Sequence, residues 1–455
     1  MGLGIIATVL FALLTVTGIL LMLYYKPSVT MAYDSIKDLQ YVVPTGRIIR
    51  NVHRWSAHGM VAVVFLHMGR VFYTSSYKKP REFNWVIGLI LFVLTLGLSF
   101  TGYLLPWDQL AFWAVTIGSS IAGSPKDLTD VLGITQYFDP GGLVKEILLG
   151  AHFVGQETLI RFYTLHVIVL PLALSAFMGI HFWRIRKDGG LAHPASADPP
   201  APPQAVGPEE APTKTFGLMA VVRERTPATD RDVENTVPAW PQLFRIEAVL
   251  IMVVLLAVVA LSVAFDAPLA EPANPAVPEN PAKAPWYFLG LQEMVSYTAF
   301  GGGMVIPMIV LLGLFLVPYL DREERGVGVW FCNRQGRWIA LASAVYATLM
   351  CIGTLAFVIH FGWVRQWVPD LIRKFPRISQ LIIMLVFNPG MVFVVICIVW
   401  SLGVMHFTNS TRMASISLFT CFFVFFLLLT YFALVHRGPD WAFYWSHADW
   451  PVIEH

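Results

Sequence analysis

The sequence predicts an all-α fold, a polytopic bundle of about nine transmembrane helices around a four-helix core. The first ground is composition. Of 455 residues 56% are hydrophobic and 13% charged, with a mean hydropathy of +0.63, far from the balance of a soluble domain. The second is run length. A helix rises about 1.5 Å per residue and needs about 20 apolar residues to cross the hydrocarbon; such runs lie near 3–24, 50–73, 84–105, 161–184, 245–265, 303–320, 338–360, 380–404 and 414–436. The third is a spacing: His53 and His67 are 14 residues apart, and His166 and His181 are 15 apart. At about 100° per residue, either interval returns a side chain close to one helix face, some four turns further along.

The first run, Gly2–Leu23, lacks the basic n-region and A-x-A site of a signal peptide and is expected to be a retained span. The first four spans form a block, 1–188, that contains both histidine pairs. A Pro- and Ala-rich stretch, 189–238, with Pro194, Pro199, Pro200, Pro202, Pro203 and Pro208, cannot bury a core and is expected to be a linker. A second helical block spans 239–365, and two further helices with an aromatic tail span 366–455. Basic residues set the orientation. Arg70, Lys78, Lys79 and Arg81 follow the second span, Arg184, Arg186 and Lys187 the fourth, and Arg322, Arg325, Arg334 and Arg337 the sixth. All three loops fall on one side, which is expected to be cytoplasmic, in a cytoplasmic (inner) membrane. The group Arg365, Arg373, Lys374 and Arg377 opposes this pattern on the other side.

The net charge of +2 and the lack of a basic stripe give no indication of nucleic acid. Cys332, Cys351, Cys397 and Cys421 have no C-x-x-C or zinc spacing and are expected to pack as small hydrophobes. A lone histidine in a span is as readily a packing residue as a ligand, but the pairing is accompanied by glycines. Gly4 and Gly18 in the first span, and Gly88 and Gly102 in the third, repeat the 14-residue interval, and glycine lets a bulky planar group approach the backbone. Two stacked bis-histidine sites, each holding a haem, are the expectation. Two axial imidazoles leave no open position on the iron, so the haems are expected to transfer electrons. Arg50, Arg54 and Arg161 lie close enough to His53 and His166 to neutralise propionates. His58 is off phase and is expected to be a packing or hydrogen-bonding residue. His152, His193, His360, His406, His436, His447 and His455 are assigned nothing.

The runs GRIIRNVHRWSAHGMVAVVFLHMGRVFYTSSYKKPREFNWVIG, TGYLLPWDQLAFWAV and RFYTLHVIVLPLALSAFMGIHF resemble cytochrome b of the Rieske/cytochrome b complexes, and most closely the cytochrome bf branch. The stretch from Pro238 to about His360 resembles the separate subunit four of bf complexes, fused here through the linker. The resemblance implies a quinol:cytochrome c or similar oxidoreductase working by electron bifurcation, with a Rieske iron–sulfur protein, a c-type cytochrome and the quinone pool as partners, contribution to proton translocation, and a homodimeric complex. By that similarity His53 and His166 hold the outer haem, and His67 and His181 the inner one. The family's Pro-Glu-Trp-Tyr motif is replaced by Ala284-Pro285-Trp286-Tyr287. Glu293 is the nearest carboxylate, and burial is expected to suit it to proton transfer; a salt bridge, for instance to Lys283, is the plainer alternative. Tyr103, Phe112, Pro285, Trp286, Tyr287 and Phe288 form the expected quinone slot, and the altered motif resembles variants that use low-potential naphthoquinols, making menaquinol the expected substrate. The branch's haem-attaching cysteine falls on Gly2, which excludes covalent attachment there. Arg186 matches a basic residue on that side and leaves a non-covalent third haem open. The amphipathic helix that precedes the first span in the family has no counterpart before Met1, which implies a simplified inner site or a late start.

Two other classes of membrane protein match the sequence less well. A dihaem anchor for a separate dehydrogenase or reductase would have four or five spans without TGYLLPWDQ or PWY. A transport bundle with proton-relay histidines leaves the glycine phase unexplained.

Overall fold

The computed structural model describes residues 2–188, 190–192, 238–323, 326–367, 374 and 377–451. Nearly all of the expected linker, together with Arg325, Arg373 and the side chains of Arg365 and Arg377, lies outside the described residues. The secondary structure among the described residues is helical, with isolated β-bridges but no strand. In chain order the helices are α1 (Leu3–Met22), α2 (Ala32–Tyr41), α3 (Gly46–Tyr73), α4 (Glu82–Leu104), α5 (Gln109–Gly123), α6 (Pro125–Leu132), α7 (Pro140–Leu149) and α8 (Gln156–Lys187). They continue with α9 (Ala239–Ala264), α10 (Trp286–Val295), α11 (Gly301–Leu320), α12 (Arg334–Phe361), α13 (Val364–Trp367), α14 (Arg377–Val386), α15 (Pro389–Thr408) and α16 (Thr411–Val435).

Eight of these are long and apolar enough to cross a membrane. The ninth expected span, α3, has 28 residues, about 42 Å, but its N-terminal half carries Arg47, Arg50, His53, Arg54 and His58. Polar side chains facing the bundle and not the lipid are what a functional transmembrane helix shows. The apolar window of α8 is only 6% buried within the chain; a surface this apolar needs lipid or a partner subunit against it. The protein is a multi-pass membrane protein.

One expected span is corrected. The run 380–404 is two helices, α14 and α15, broken at Phe387 and Asn388. Pro389 disfavours helical backbone at the residue before it, and the Asn388 side chain accepts from Gly390 N at 2.9 Å as the N-cap of α15. Short helices also fill the loops at the histidine-53 end. Asp108 caps α5 through Ala111 N at 2.9 Å, and Asp139 caps α7 through Gly142 N at 2.7 Å. Phe112 of α5 and Leu149 of α7 join Trp107, Phe162 of α8, and Ile36 and Leu39 of α2 in one apolar cluster.

Each end of the bundle has its own lock. At the basic end, Asp321, just after α11, is fully buried between Lys78 at 2.6 Å and Arg412 at 3.2 Å, and accepts from the Tyr77 hydroxyl at 2.7 Å. Burial holds the Lys78 ammonium below its ordinary range and pushes the Tyr77 phenol well above its own. Arg412 also donates to the Glu323 carbonyl. The α3–α4 loop, the end of α11 and the start of α16 thus meet on one buried carboxylate. At the opposite end the Arg47 and Asn51 side chains donate to Asp266 at 2.6 and 2.9 Å. Those bonds hold the Asp266 carboxyl below its ordinary range.

Removing one partner from a buried charge cluster strands the others without counter-charge, at about 3–5 kcal/mol. Asp321→Ala is therefore expected to lower thermal stability in detergent by that order. Breaking the exposed Arg47–Asp266 pair with Arg47→Ala is expected to leave the unfolding temperature almost unchanged.

Candidate functional site

The four paired histidines meet two by two. The His53 and His166 rings have centroids 6.3 Å apart, and the His67 and His181 rings 6.5 Å apart, with interplanar angles of 73° and 76°. Two metal–nitrogen bonds of about 2 Å plus two ring radii fill such a distance. An edge-to-face aromatic contact falls in the same range, and the glycines decide between the two. A Cβ on Gly18 would lie 3.3 Å from His53 Cε1, on Gly4 3.7 Å from His67 Cε1, on Gly88 3.8 Å from His181 Cε1, and on Gly102 2.4 Å from His166 Cε1. Each expected glycine stands against one expected histidine, leaving the space beside every ring clear of side chain. At Gly102 the imidazole itself needs that clearance, but at Gly4 and Gly88, where a Cβ would make only ordinary contact with the ring, ring packing does not need it, whereas a planar macrocycle does.

The same contacts orient the helices. Gly4 and Gly88 share a level with His67 and His181, while Gly18 and Gly102 share a level with His53 and His166. Helices α1 and α4 therefore run antiparallel to α3 and α8. The His67/His181 level is the basic end.

The unequal spacings have a local cause. Residues Leu165–Val169 form a π-helical turn in which Leu170 N bonds to Leu165 O. Pro171 follows; it has no N–H for the preceding turn and its ring crowds the carbonyl four residues back. A π turn inserts one residue into an α-helix, so 15 residues in α8 cover the rise and rotation that 14 cover in α3. The histidine spacings match in space because Pro171 makes them differ in sequence.

Hydrogen bonds fix the ring nitrogens at the outer level. His166 Nδ1 lies 3.1 Å from the Leu98 carbonyl, which can only accept, so Nδ1 carries the proton. Thr17 Oγ1 donates to Leu13 O at 2.7 Å, so His53 Nδ1, 2.9 Å from that oxygen, is the donor to it. Both imidazoles are left with an Nε2 lone pair, the tautomer a metal ligand needs. Ring separation and glycines fit a haem at both levels, and at the outer level the tautomers and the cavity fit one as well.

The three arginines part company. Arg54 lines the outer cavity, sits over the Tyr103 ring at 5.3 Å and keeps its Nε buried with no hydrogen-bond partner among the described residues, as a site for an anion would. Arg50 lines the same cavity but donates to Gln40 Oε1 at 2.9 Å and to the Ala267 and Pro268 carbonyls at 2.7 and 2.6 Å, so it clamps the segment after α9. Arg161 is corrected: it donates to the Glu146 and Ile147 carbonyls at the end of α7 and lies outside that cavity's lining. Its distance in sequence from His166 gave its place along the helix but not its face. Arg186 is exposed at the end of α8, and Gly2 faces Leu250 of α9.

Beside the outer cavity lies an apolar slot of about 380 Å³, lined by Phe100, Tyr103, Pro285, Phe288, Gln292 and Val295 among others. Tyr103 lines both spaces, and Tyr287 lines the histidine cavity. The slot has the shape and lining suited to a flat apolar ring. Phe112 is not part of it; it is buried against Trp107.

Glu293 is also corrected. It is fully buried, bound by Arg437 Nε at 2.9 Å and Nη2 at 2.5 Å, Trp441 Nε1 at 2.9 Å and Tyr297 OH at 3.1 Å, and it lines neither cavity. A carboxylate paired on both oxygens with a guanidinium is an anchor for α10 and is not placed to take a substrate proton. The partner is Arg437 and not Lys283, which donates to the Leu434 carbonyl at 2.8 Å. Nothing in the spacing of Glu293 and Arg437, 144 residues apart, signals the pair.

A family model described as cytochrome b/b6/petB matches residues 1–189. Cytochrome b6 of Prochlorococcus marinus strain MIT 9515 is 44% identical over 187 residues, 41% of this chain and 80% of that protein. The cytochrome b6 of strain MIT 9303 is 45% identical over the same length. A solved structure titled "Hyperthermophilic respiratory Complex III" aligns over 95% of this chain and 90% of its own with a TM-score of 0.57 at 24% identity, a likeness of fold that extends through the second block.

Gly102→Ala is expected to displace the anchored His166 ring and to lower the reduced-minus-oxidised haem absorbance per protein more than Gly88→Ala, whose Cβ would meet His181 at ordinary contact distance. Arg437→Met is expected to cost about 3–5 kcal/mol of stability by stranding Glu293, and Arg437→Met/Glu293→Gln to recover most of it, read by thermal unfolding in detergent.

Proposed function

Since the chain belongs to the cytochrome b/b6 family, we propose that it is the cytochrome b subunit of a Rieske-type quinol oxidoreductase, binding two b haems and oxidising menaquinol by electron bifurcation. The carrying observation is the juxtaposition of the two spaces: an apolar slot of about 380 Å³ meets the outer bis-histidine cavity across the side chains of Tyr103 and Leu110. His53 and His166 would hold the outer haem, His67 and His181 the inner one, with Arg54 offered to a propionate. Bound there, the haems would supply a one-electron path along the bundle axis.

The chain's own residues do the rest. Pro285 and Phe288 from the second block, and Phe100 and Tyr103 from α4, give the slot its largely apolar lining. Thr17 and the Leu98 carbonyl orient the outer imidazoles, while the four glycines keep the ring faces clear. The second block acts as the subunit-four-like half, since α10 supplies the slot's outer wall. The basic end faces the cytoplasm, and the proposed partners, a Rieske protein and a c-type cytochrome, dock at the other. Assembly is as a homodimer in the cytoplasmic membrane.

The test is turnover of the purified complex with a soluble naphthoquinol and a c-type cytochrome. Naphthoquinol-dependent cytochrome reduction is expected, and His67→Leu should cut it at least about tenfold by removing an axial ligand. A complex that holds haem yet does not oxidise any quinol would overturn the reading.

A further inference from the structure

Five residues beyond His53 on α3 stands a histidine that the electron path does not use. His58 lines the outer cavity. Its Nδ1 accepts a hydrogen bond from Trp286 Nε1 at 3.0 Å. An indole N–H is a donor only, so His58 is neutral there, with its ring proton on Nε2. Its ring also meets Tyr287 edge to face, centroids 5.8 Å apart. Trp286 and Tyr287 open α10, the helix that carries Phe288 and Gln292 of the slot. The far end of α10 is held by Glu293 and Arg437. At the near end Trp286 is held by one imidazole of the haem-core helix, and Tyr287 by a side-chain hydrogen bond with Ser99 of α4.

An imidazolium has two donors and no acceptor. Protonation of His58 therefore sets a second donor against the indole N–H, and the bond breaks. The charged and titratable groups that face the same cavity are Arg50, His53 and Arg54 on its own helix, Tyr103 from α4, Tyr163 and His166 from α8, Tyr287 from α10, and Tyr25 and Asp108 from the loops after α1 and α4. The Asp108 oxygens are engaged by the Ala111 and Ala270 amides at 2.9 and 3.0 Å.

We propose that His58 is a positioning residue for the quinol slot, holding Trp286 and with it the start of α10 only in its neutral form, so that quinol binding weakens as the pH falls. The proposal rests on the quinol-oxidising reading above.

The test measures KM and kcat for a soluble naphthoquinol against pH in the assembled complex. Wild type is compared with His58→Asn, whose Oδ1 can accept where Nδ1 did but does not titrate, and with His58→Leu, which can do neither. His58→Leu is expected to raise KM about tenfold, the scale of one lost buried hydrogen bond, with the effect falling on KM and not on kcat or haem absorbance. His58→Asn should restore KM near neutral pH, and the rise of KM at low pH should appear in wild type alone. A wild-type KM in His58→Leu, or an undiminished acid rise in His58→Asn, overturns the proposal. Should His58→Leu fail to assemble, the wild-type and His58→Asn profiles decide it alone. A wild-type complex that turns over no quinol defeats the earlier reading, whereas turnover indifferent to both substitutions defeats only this one.

Discussion

Everything in the bundle follows from bringing two imidazoles together with ring centroids 6.3 and 6.5 Å apart, twice, at levels four turns apart. That constraint fixes α3 against α8. It also requires α1 and α4 to present bare backbone at the same levels, which they do at Gly18 and Gly102, and at Gly4 and Gly88. Side-chain packing would fill such spaces, because protein interiors tolerate few voids. Here four positions are kept open in register with four rings. The hydrogen bonds from the outer imidazoles to Thr17 and the Leu98 carbonyl complete the arrangement by fixing which nitrogen is free.

The second block is a wall built against this core. Helix α10 is short, 10 residues, and too short to be stable alone. Its position comes from what holds it: the Trp286–His58 bond at one end, and the Glu293 carboxylate locked to Arg437 and Trp441 at the other. The last helix, α16, contributes to both ends of the molecule, through Arg412 on the buried Asp321 at the basic end and through Arg437, just past its C-terminus, on Glu293 at the other. The slot wall is thereby referred to the helix that closes the chain.

Much of this was legible in the sequence. Hydropathy marked the spans, and the 14- and 15-residue intervals marked the histidines and their glycines, because helical periodicity is local and repeats within one segment. What escaped was either a break in periodicity or a contact between distant segments. Pro171 is visible in the sequence, yet its π turn is what makes 15 equal 14. Asn388-Pro389 splits an otherwise continuous apolar run. Arg161 lies within reach of His166 along the chain but turns to the end of α7. Glu293 read as an isolated carboxylate because its partner lies 144 residues away, and no local pattern encodes a pairing of that range.

The most direct measurement is a redox titration of the visible spectrum of the purified complex, with pyridine haemochrome quantification per polypeptide. Two b haems per chain, titrating at separate potentials and released without covalent attachment, is the predicted result. One haem, or none, would contradict the paired-histidine account and the electron path built on it.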